Sequence, residues 1–432
     1  MFNKYDAYKD SGVQWIGEIP SKWGVLRAKN LFNFRKIINS KYQCDNVLSL
    51  TLRGVVNNSF DNPEGLIPKD YATYQIFNKN DLVFKLIDLE NISTSRVGLV
   101  HEKGIMSPAY IRLECKETVI PKFAYYYFYN LYLQTVFNKL GAGVRSTLSQ
   151  KDLLELPYLH LCKEQQIKIV DFLETKTSEI DQAIAIKEQQ IALLNERKQI
   201  VVQKAVTQGL NPNVAMKDSG VEWIGQIPEH WAVKKIKHVS GEFMYGTSVE
   251  CNSLSSGTPV LRIPNIDELY VNFDDLKFTQ LSKSETENYS LRANDILVIR
   301  TNGNPELVGK SALIRELDGE FLFASYLIRI KPNKLINPEF LICIMNSSLV
   351  RKALTNGART SVGNYNLNTQ TLGNCYLTLP PLEEQIAILN FVKTQSKNLE
   401  DMINITEEQI EKLKEYKTTL INDAVTGKIK VA

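Results

Sequence analysis

The sequence has few of the residues that build metal centres or disulfide frameworks. Its six cysteines are scattered along 432 residues without a CxxC pair, which excludes a zinc ribbon and a disulfide scaffold. Its four histidines show no HExxH or other metal spacing. No apolar run approaches the ~18 residues of a membrane span, and the opening MFNKYDAYKDSG lacks the apolar core of a secretory signal. We therefore expect a cytoplasmic protein with reduced thiols and no metal site.

Motifs for catalysis are also missing. The tripeptide GKS at residues 309–311 is not a phosphate-binding loop, because the pattern GxxxxGK[ST] needs a glycine where Asn304 stands. No Asn-Pro-Pro-aromatic or Asp-Pro-Pro-aromatic motif of an amino-methyltransferase occurs, and no glycine-rich cofactor fingerprint follows an apolar run. The sequence therefore predicts a chain that is not an enzyme and holds no cofactor itself. A self-contained nuclease or methylase is a disfavoured alternative.

Two segments of the chain are near copies of each other. KDSGVQWIGEIPSKW at residues 9–23 matches KDSGVEWIGQIPEHW at residues 217–231, and the two contain all four tryptophans. Each copy has a turn-forming Ile-Pro step and aromatic residues that suit a packed corner. We expect each segment to act as a clasp between the end of a helix and a globular unit. A cofactor-stacking role for the tryptophans is the alternative.

A second repeat, with an offset of 219 residues, predicts two long helices. KEQQIKIVDFL at residues 163–173 matches LEEQIAILNFV at 382–392. Most heptad a and d positions that follow are apolar in both copies, and neither proline nor glycine occurs within 163–206 or 382–425. Each helix of about 44 residues would be roughly 66 Å long. The narrow apolar stripes favour an antiparallel coiled coil between the two copies, and the alternative is that each helix packs on its own globular unit.

The regions between the repeats resemble each other only faintly. Both contain short apolar strands, then a helix, and then a polar glycine-bearing turn, which is typical of an α+β fold. Residues 24–148 hold 16 Lys+Arg against 10 Asp+Glu, a net charge of +6, and residues 232–376 hold 16 against 14, a net charge of +2. A basic excess with polar turns favours nucleic acid as a partner. A coiled-coil scaffold whose globular units bind proteins remains the rival interpretation.

Three motifs together resemble one family. They are KDSGV(Q/E)WIG(E/Q)IPxxW, the EQQ- or EEQ-opened helices, and a G-x-R turn before a Leu-Pro step, at 143–145 and 357–359. These motifs span nearly the whole chain and are similar to those of the specificity subunit of type I restriction–modification systems. The resemblance implies two α+β target recognition domains joined by two long helices in an antiparallel intramolecular coiled coil with pseudo-twofold, cyclic symmetry. The domains expected are 1–155 (first target recognition domain with its clasp), 156–208 (first helical spacer), 209–376 (second target recognition domain with its clasp) and 377–432 (second helical spacer).

The same resemblance implies the partners. Each target recognition domain would read one half of an asymmetric, bipartite site in double-stranded DNA, while the helices set the spacer and dock two modification (methyltransferase) subunits. Restriction subunits, which are ATP-dependent translocases and nucleases, would complete the complex. S-adenosylmethionine, ATP and Mg²⁺ are expected on those partner subunits and none of them on this chain.

Polar and basic residues of the turns are the candidates for DNA contact, because phosphates take Arg, Lys and hydroxyl groups while base edges take Arg and Asn. In the first region the candidates are Arg53, Asn57, Asn58, Ser95, Arg96, Arg145 and Ser146. In the second they are Tyr245, Arg300, Asn302, Asn304, Arg359, Thr360, Asn364 and Tyr365. For each of them the alternative is a solvated loop residue without a binding role.

Overall fold

A computed structural model describes residues 2–59, 70–90, 94–141, 146–253, 256–361 and 363–431. The chain divides into two compact units. Unit 1 comprises Met1–Glu188 and Glu407–Ala432, and unit 2 comprises Gln189–Thr406. Each unit contains a globular head and parts of both long helices. The predicted boundaries after residues 155, 208 and 376 follow sequence repeats instead of packing, and they stay predictions.

Unit 1 builds its head from short strands and three short helices. The strands are β1 (Tyr8–Asp10), β2 (Glu18–Pro20), β3 (Gly24–Arg27), β4 (Phe32–Phe34), β5 (Val47–Thr51), β6 (Gly54–Asn58), β7 (Gln75–Phe77), β8 (Leu82–Phe84), β9 (Val97–Leu99), β10 (Gly104–Met106), β11 (Ile111–Cys115) and β12 (Pro157–His160). The helices are α1 (Pro121–Leu133), α2 (Val136–Leu140), α3 (Gln150–Glu155) and the first long helix, α4 (Lys163–Gln208).

Two four-stranded sheets organise this head. One has the order β4–β11–β8–β9 with antiparallel pairings, and the other has the order β6–β5–β10–β7 with β10 parallel to β5. The central strand β8 reads LVF and is buried throughout, as its continuous apolar run predicts. Helix α1 covers the first sheet with Phe123, Tyr127 and Phe128, which are all fully buried.

Unit 2 repeats this plan with different lengths. Its strands are β13 (Met216–Asp218), β14 (Gln226–Pro228), β15 (Ala232–Lys235), β16 (Ser240–Tyr245), β17 (Thr258–Leu261), β18 (Lys277–Thr279), β19 (Ile296–Ile299), β20 (Thr301–Asn302), β21 (Ser311–Leu313), β22 (Leu322–Phe323), β23 (Leu327–Pro332), β24 (Arg359–Ser361), β25 (Asn364–Asn366) and β26 (Tyr376–Leu379). Its helices are α5 (Lys283–Tyr289), α6 (Pro338–Met345), α7 (Ser348–Gly357), α8 (Thr369–Asn374) and the second long helix, α9 (Leu382–Val425).

The main sheet of unit 2 has the order β16–β23–β19–β21 and corresponds to β4–β11–β8–β9 of unit 1. The weak sequence similarity between the two regions reflects a shared backbone structure. Asn80 and Asn294 both adopt positive φ, 72° and 71°, a conformation that asparagine tolerates better than most residues. Their backbone N–H groups donate to Val100 and Ile314, at 2.8 and 2.7 Å. The two heads therefore share one chain path where their sequences have diverged.

Within each unit, the segments of α4 and α9 run antiparallel. In unit 1, Lys417 Nζ lies 2.7 Å from Asp181, and Lys187 Nζ donates to Gln409 at 2.6 Å. In unit 2, Lys198 Nζ lies 2.7 Å from Glu400. Residue numbers fall on one helix as they rise on the other, which defines an antiparallel pair. The α+β fold with two heads and an antiparallel coiled coil is thus confirmed.

Each tryptophan segment forms a two-stranded hairpin that packs on a helix end. Trp231 lies against Gly209, just past α4, and Trp23 lies against Gly427, just past α9. A Cβ atom on Gly427 would come within 2.6 Å of Pro20, so this close approach requires glycine. The clasp predicted from the repeat is therefore present in both units, and the residues near the start of the chain meet the end of the second helix.

Candidate nucleic-acid interface

A small three-stranded sheet in unit 2 gathers most of the residues predicted for that unit. Its order is β20–β25–β24, and both pairings are antiparallel. Asn302 lies opposite Tyr365, and Thr360 lies opposite the same tyrosine on its other side. Arg359, Thr360 and Asn364 are exposed, while Asn302 and Tyr365 are half-buried. The sheet therefore presents amide, hydroxyl and guanidinium groups together on one surface element.

Arg300 is held beside this sheet by its neighbours. Its guanidinium lies 4.3 Å from the centre of the Tyr245 ring, within the range of a cation–π contact. One guanidinium nitrogen donates to Asn366 Oδ1 at 3.1 Å. Tyr245 is fixed in turn, because its hydroxyl accepts the backbone N–H of Thr369 at 3.1 Å. Arg300 Nε is buried and has no hydrogen-bond partner within the described part of the chain. The contacts with Tyr245 and Asn366 therefore hold this arginine in a fixed position.

Asn304 lies in the turn that follows β20. Asn302 Oδ1 accepts the backbone N–H of Asn304 at 2.8 Å, and Asn304 Oδ1 accepts that of Glu306 at 2.9 Å. These bonds are typical of turns in which asparagine side chains cap the backbone. Both amide oxygens are therefore engaged in shaping the turn.

In unit 1, three predicted residues lie on the hairpin of β5 and β6. Arg53 is exposed at its tip. Asn57 is exposed and donates to Glu102 Oε1 at 2.6 Å, a bond that is the main cause lowering the pKa of that carboxyl group. Asn58 donates to Ser49 Oγ at 2.8 Å across the hairpin. Because successive residues of a strand face opposite sides, the two asparagines do not share one surface.

The other described predictions for unit 1, Ser95, Arg96 and Ser146, lie outside that hairpin. Ser95 and Arg96 do not lie in an exposed turn, because each is only 1% exposed. The Ser95 hydroxyl donates to a backbone carbonyl of β9 at 2.7 Å, and Arg96 donates to the Asp88 carbonyl at 2.8 Å. Ser146 is half-buried with a positive φ of 40°. Arg145 lies outside the described residues.

Lys85 and Asn366 were not among the predicted residues. Lys85 follows the central strand of its head, as Arg300 does in unit 2, and its Nζ donates to Thr94 Oγ1 at 3.0 Å. Burial, and then the nearby Arg96, lowers the pKa of Lys85. The signal that could have found Lys85 is a single cation directly after an apolar strand, since DLVFK and DILVIR share this pattern. Asn366 is signalled by the alternation of polar residues in NYN.

The described residues also bear on metal sites and membrane spans. Among those residues, no group of three or more His, Cys, Asp or Glu side chains is placed to hold a metal ion. Among them, too, no helix is long and apolar enough to cross a membrane.

Comparison with known proteins identifies the class. The model of the family described as type I restriction modification DNA specificity domain matches the chain twice, over residues 20–196 and 228–415. These two matches cover well over half of the sequence, so the chain belongs to the type I restriction–modification DNA specificity family. Specificity subunits are non-catalytic DNA-recognition subunits, and membership therefore confirms the prediction that this chain is not an enzyme.

Particular relatives agree with this assignment. The EcoKI specificity subunit of Escherichia coli strain K12 is 29% identical over 245 residues, which cover 56% of this chain and only 50% of that protein. The MjaVIII specificity subunit of Methanocaldococcus jannaschii is 28% identical over 382 residues, covering 82% of this chain and 80% of the relative.

Two solved structures share the fold. One comes from work on complex assembly and conformational transition of the type I R-M system, with a TM-score of 0.68, 13% identity, and coverage of 94% of this chain and 98% of that chain. The other is the HsdS subunit from Thermoanaerobacter tengcongensis, with a TM-score of 0.52, 14% identity, and coverage of 95% and 98%.

Proposed function

We propose that each head reads one half of an asymmetric, bipartite site in double-stranded DNA. The observation that carries this proposal is the β20–β25–β24 surface with Arg300 beside it. Arginine and asparagine side chains recognise base edges, whereas threonine and tyrosine hydroxyls contact phosphates. A side chain that is already held in place loses less conformational entropy on binding, and Arg300 meets that condition through its contacts with Tyr245 and Asn366.

The charge of the heads supports DNA as the ligand. Residues 24–148 carry a net charge of +6 and residues 232–376 a net charge of +2. Affinity that depends on neutralised phosphates falls steeply with salt. The first head would therefore show the steeper salt dependence, because it brings more excess cations to the duplex. In that head, the hairpin with Arg53 and Asn57 is the exposed part of the proposed contact surface.

The coiled coil would set the unread spacer and dock two modification subunits. In unit 2, the two long helices expose seven large apolar side chains, which a lone solvated coiled coil does not need. They are Leu193, Ile200, Leu382, Ile386, Phe391, Met402 and Ile405. Such exposed apolar groups are typical of a protein interface. S-adenosylmethionine would act on the modification subunits, and ATP and Mg²⁺ on restriction subunits. The predicted cytoplasmic location is part of the same proposal.

A selection from random duplex DNA tests the proposal. The chain, bound to its modification partner, would be incubated with a random library at low and at moderate salt, and the retained DNA would be sequenced. Two short half-sites at a constant separation are expected. Enrichment of one half-site would limit DNA reading to one head, and no enrichment at either salt concentration would favour a protein-binding scaffold.

A further inference from the structure

The two tryptophan clasps differ in the hydrogen bonds made by one carboxylate. In unit 2, Trp231 is buried, and its Nε1 donates to Glu384 Oε2 at 2.9 Å. The other carboxylate oxygen of Glu384 lies 2.6 Å from His230 Nε2. Glu384 belongs to the first turn of α9. The clasp of unit 2 is therefore closed by a carboxylate of the chain itself. One carboxylate oxygen accepts the indole N–H, and the other lies next to the imidazole of His230.

The clasp of unit 1 lacks this carboxylate. Trp23 is equally buried, at 1% exposed, but its Nε1 has no hydrogen-bond partner within the described residues. The position equivalent to Glu384, at the offset of 219, is Gln165. A buried donor without a partner is costly. Since the surrounding backbone is otherwise repeated, the missing acceptor is a specific difference between the two units.

The residues around Trp23 also differ in charge from their counterparts. Lys22 replaces His230, and Lys168 replaces Ala387. Both lysines, with Lys430, line an open cleft of ≈ 400 Å³ that includes Trp23 and Gln165. Asp6 is the acidic residue of the same lining. Unit 1 therefore has no carboxylate where unit 2 has Glu384, and it has two ammonium groups where unit 2 has His230 and Ala387.

We propose that this cleft binds a carboxylate presented from outside the chain. One oxygen would accept the Trp23 Nε1 hydrogen, and the other would pair with Lys22 or Lys168, as Glu384 does for Trp231 and His230. Charge-assisted hydrogen bonds of this kind are about twice as strong as neutral ones. The carboxylate could come from a free small acid or from an acidic side chain of a protein partner. None of these residues belongs to the candidate nucleic-acid interface, so the inference does not rest on DNA reading.

The indole N–H signals in the NMR spectrum of the 432-residue chain provide the test. Citrate serves as the small-acid probe and a short glutamate-rich peptide as the protein-like probe. Each is added at millimolar concentration to ¹⁵N-labelled protein. Sodium chloride at matched ionic strength is the control, because the screening of exposed charges by salt also shifts NMR signals. We expect a saturable shift of the Trp23 signal while Trp231 stays in place. A shift with citrate identifies the small-acid source, and a shift with the peptide alone identifies the protein source.

Two reciprocal substitutions assign the signals and complete the test. Gln165→Glu supplies the carboxylate within the chain. It should therefore move the Trp23 signal toward that of Trp231 and lower the affinity for the probe about tenfold or more. Glu384→Gln should move only the Trp231 signal. The proposal is overturned if neither probe moves an indole signal, if Gln165→Glu moves none, or if the probe binds Gln165→Glu as tightly as the native chain.

Discussion

At the scale of single residues, two arginines of unit 2 make similar aromatic contacts but differ in whether an acidic residue balances their charge. Arg300 stacks on Tyr245 with its guanidinium 4.3 Å from the ring centre, and Arg315 stacks on Tyr270 at 3.6 Å. Arg315 is further paired with Glu339 at 3.2 Å, so its charge is locally balanced. Arg300 has no such acidic partner within the described residues and borders the β20–β25–β24 sheet. Of these two arginines, only Arg300 is therefore suited to bind a polyanion such as DNA.

Replacement of Arg300 by alanine should weaken DNA binding with little effect on folding. Loss of one positioned arginine contact costs about 1–3 kcal/mol of binding free energy, which is roughly a tenfold to hundredfold loss of affinity. Arg315→Ala is the matched control and should leave affinity unchanged. The measurement is fluorescence anisotropy with the selected duplex, and equal losses for the two variants would contradict a specific role for Arg300.

Cysteine reactivity provides a second check at this scale. Burial raises the pKa of Cys115, Cys343 and Cys375 to about 12 each, whereas Cys162 is exposed. Because the thiolate is the reactive form, a maleimide at pH 8 should label Cys162 first. The other three should react only after unfolding.

Peptide mass spectrometry of briefly labelled protein reads out this order, and a sample in denaturant, where all six cysteines become accessible, is the control. Labelling of Cys343 at the rate of Cys162 would argue against the buried position of α6.

At the scale of elements, one buried glutamine joins each long helix to its head. Gln166 Oε1 accepts the backbone N–H of Ile120 at 2.8 Å, and its Nε2 donates to Thr118 and Leu161, both at 3.0 Å. Gln385 makes the equivalent three bonds in unit 2, at 2.7 to 3.2 Å. Because each bond ends on backbone of the head, the first turn of the helix has a fixed direction there. The repeated Gln in EQQ and EEQ is therefore structural.

Two glycines of unit 1, Gly427 after α9 and Gly12 in the hairpin after β1, predict a graded loss of stability. Gly427 and Gly12 both have positive φ, 76° and 72°, but only Gly427 has neighbours where a Cβ would lie. Gly12→Ala should cost about 1–2 kcal/mol for the strained backbone alone. Gly427→Ala should cost about 1–3 kcal/mol more, because the new methyl group would clash with Pro20.

Urea unfolding of both variants beside the native chain measures the difference in free energy of unfolding. Equal losses would show that the packing of the Trp23 clasp on Gly427 contributes no stability.

The elements differ in how far the sequence could predict them. The long helices were predictable, since their apolar period and lack of proline act locally, and they are observed at Lys163–Gln208 and Leu382–Val425. The β20–β25–β24 sheet could not be predicted, because residues 301–302 pair with residues some sixty positions later. Ser95 and Arg96 were expected in an exposed turn but are each only 1% exposed, because polar residue types do not reveal that a segment is buried.

At the scale of the whole molecule, the internal repeat extends to individual ion pairs. Lys198 pairs with Glu400, and Lys417 pairs with Asp181. These are the same interaction at an offset of 219, which explains why both helices carry a lysine at one heptad a position. A polar residue at such a position specifies the register of a coiled coil at some cost in stability. The two heads differ in sequence while this register is the same in both units, as the proposed function of separating two different DNA-reading heads requires.

The proposed spacer function makes a final prediction. One heptad added near the middle of both α4 and α9 keeps the apolar seam in register and lengthens the coil by about 10.5 Å. This corresponds to roughly three base pairs at 3.4 Å each. We expect the selected DNA to keep both half-sites while their separation grows by about that number. The control is a heptad in α4 alone, which breaks the pairing with α9 and should destabilise the fold. An unchanged separation in the double insertion would contradict the spacer role, because the half-site distance would then be set by the heads or by the partner subunits.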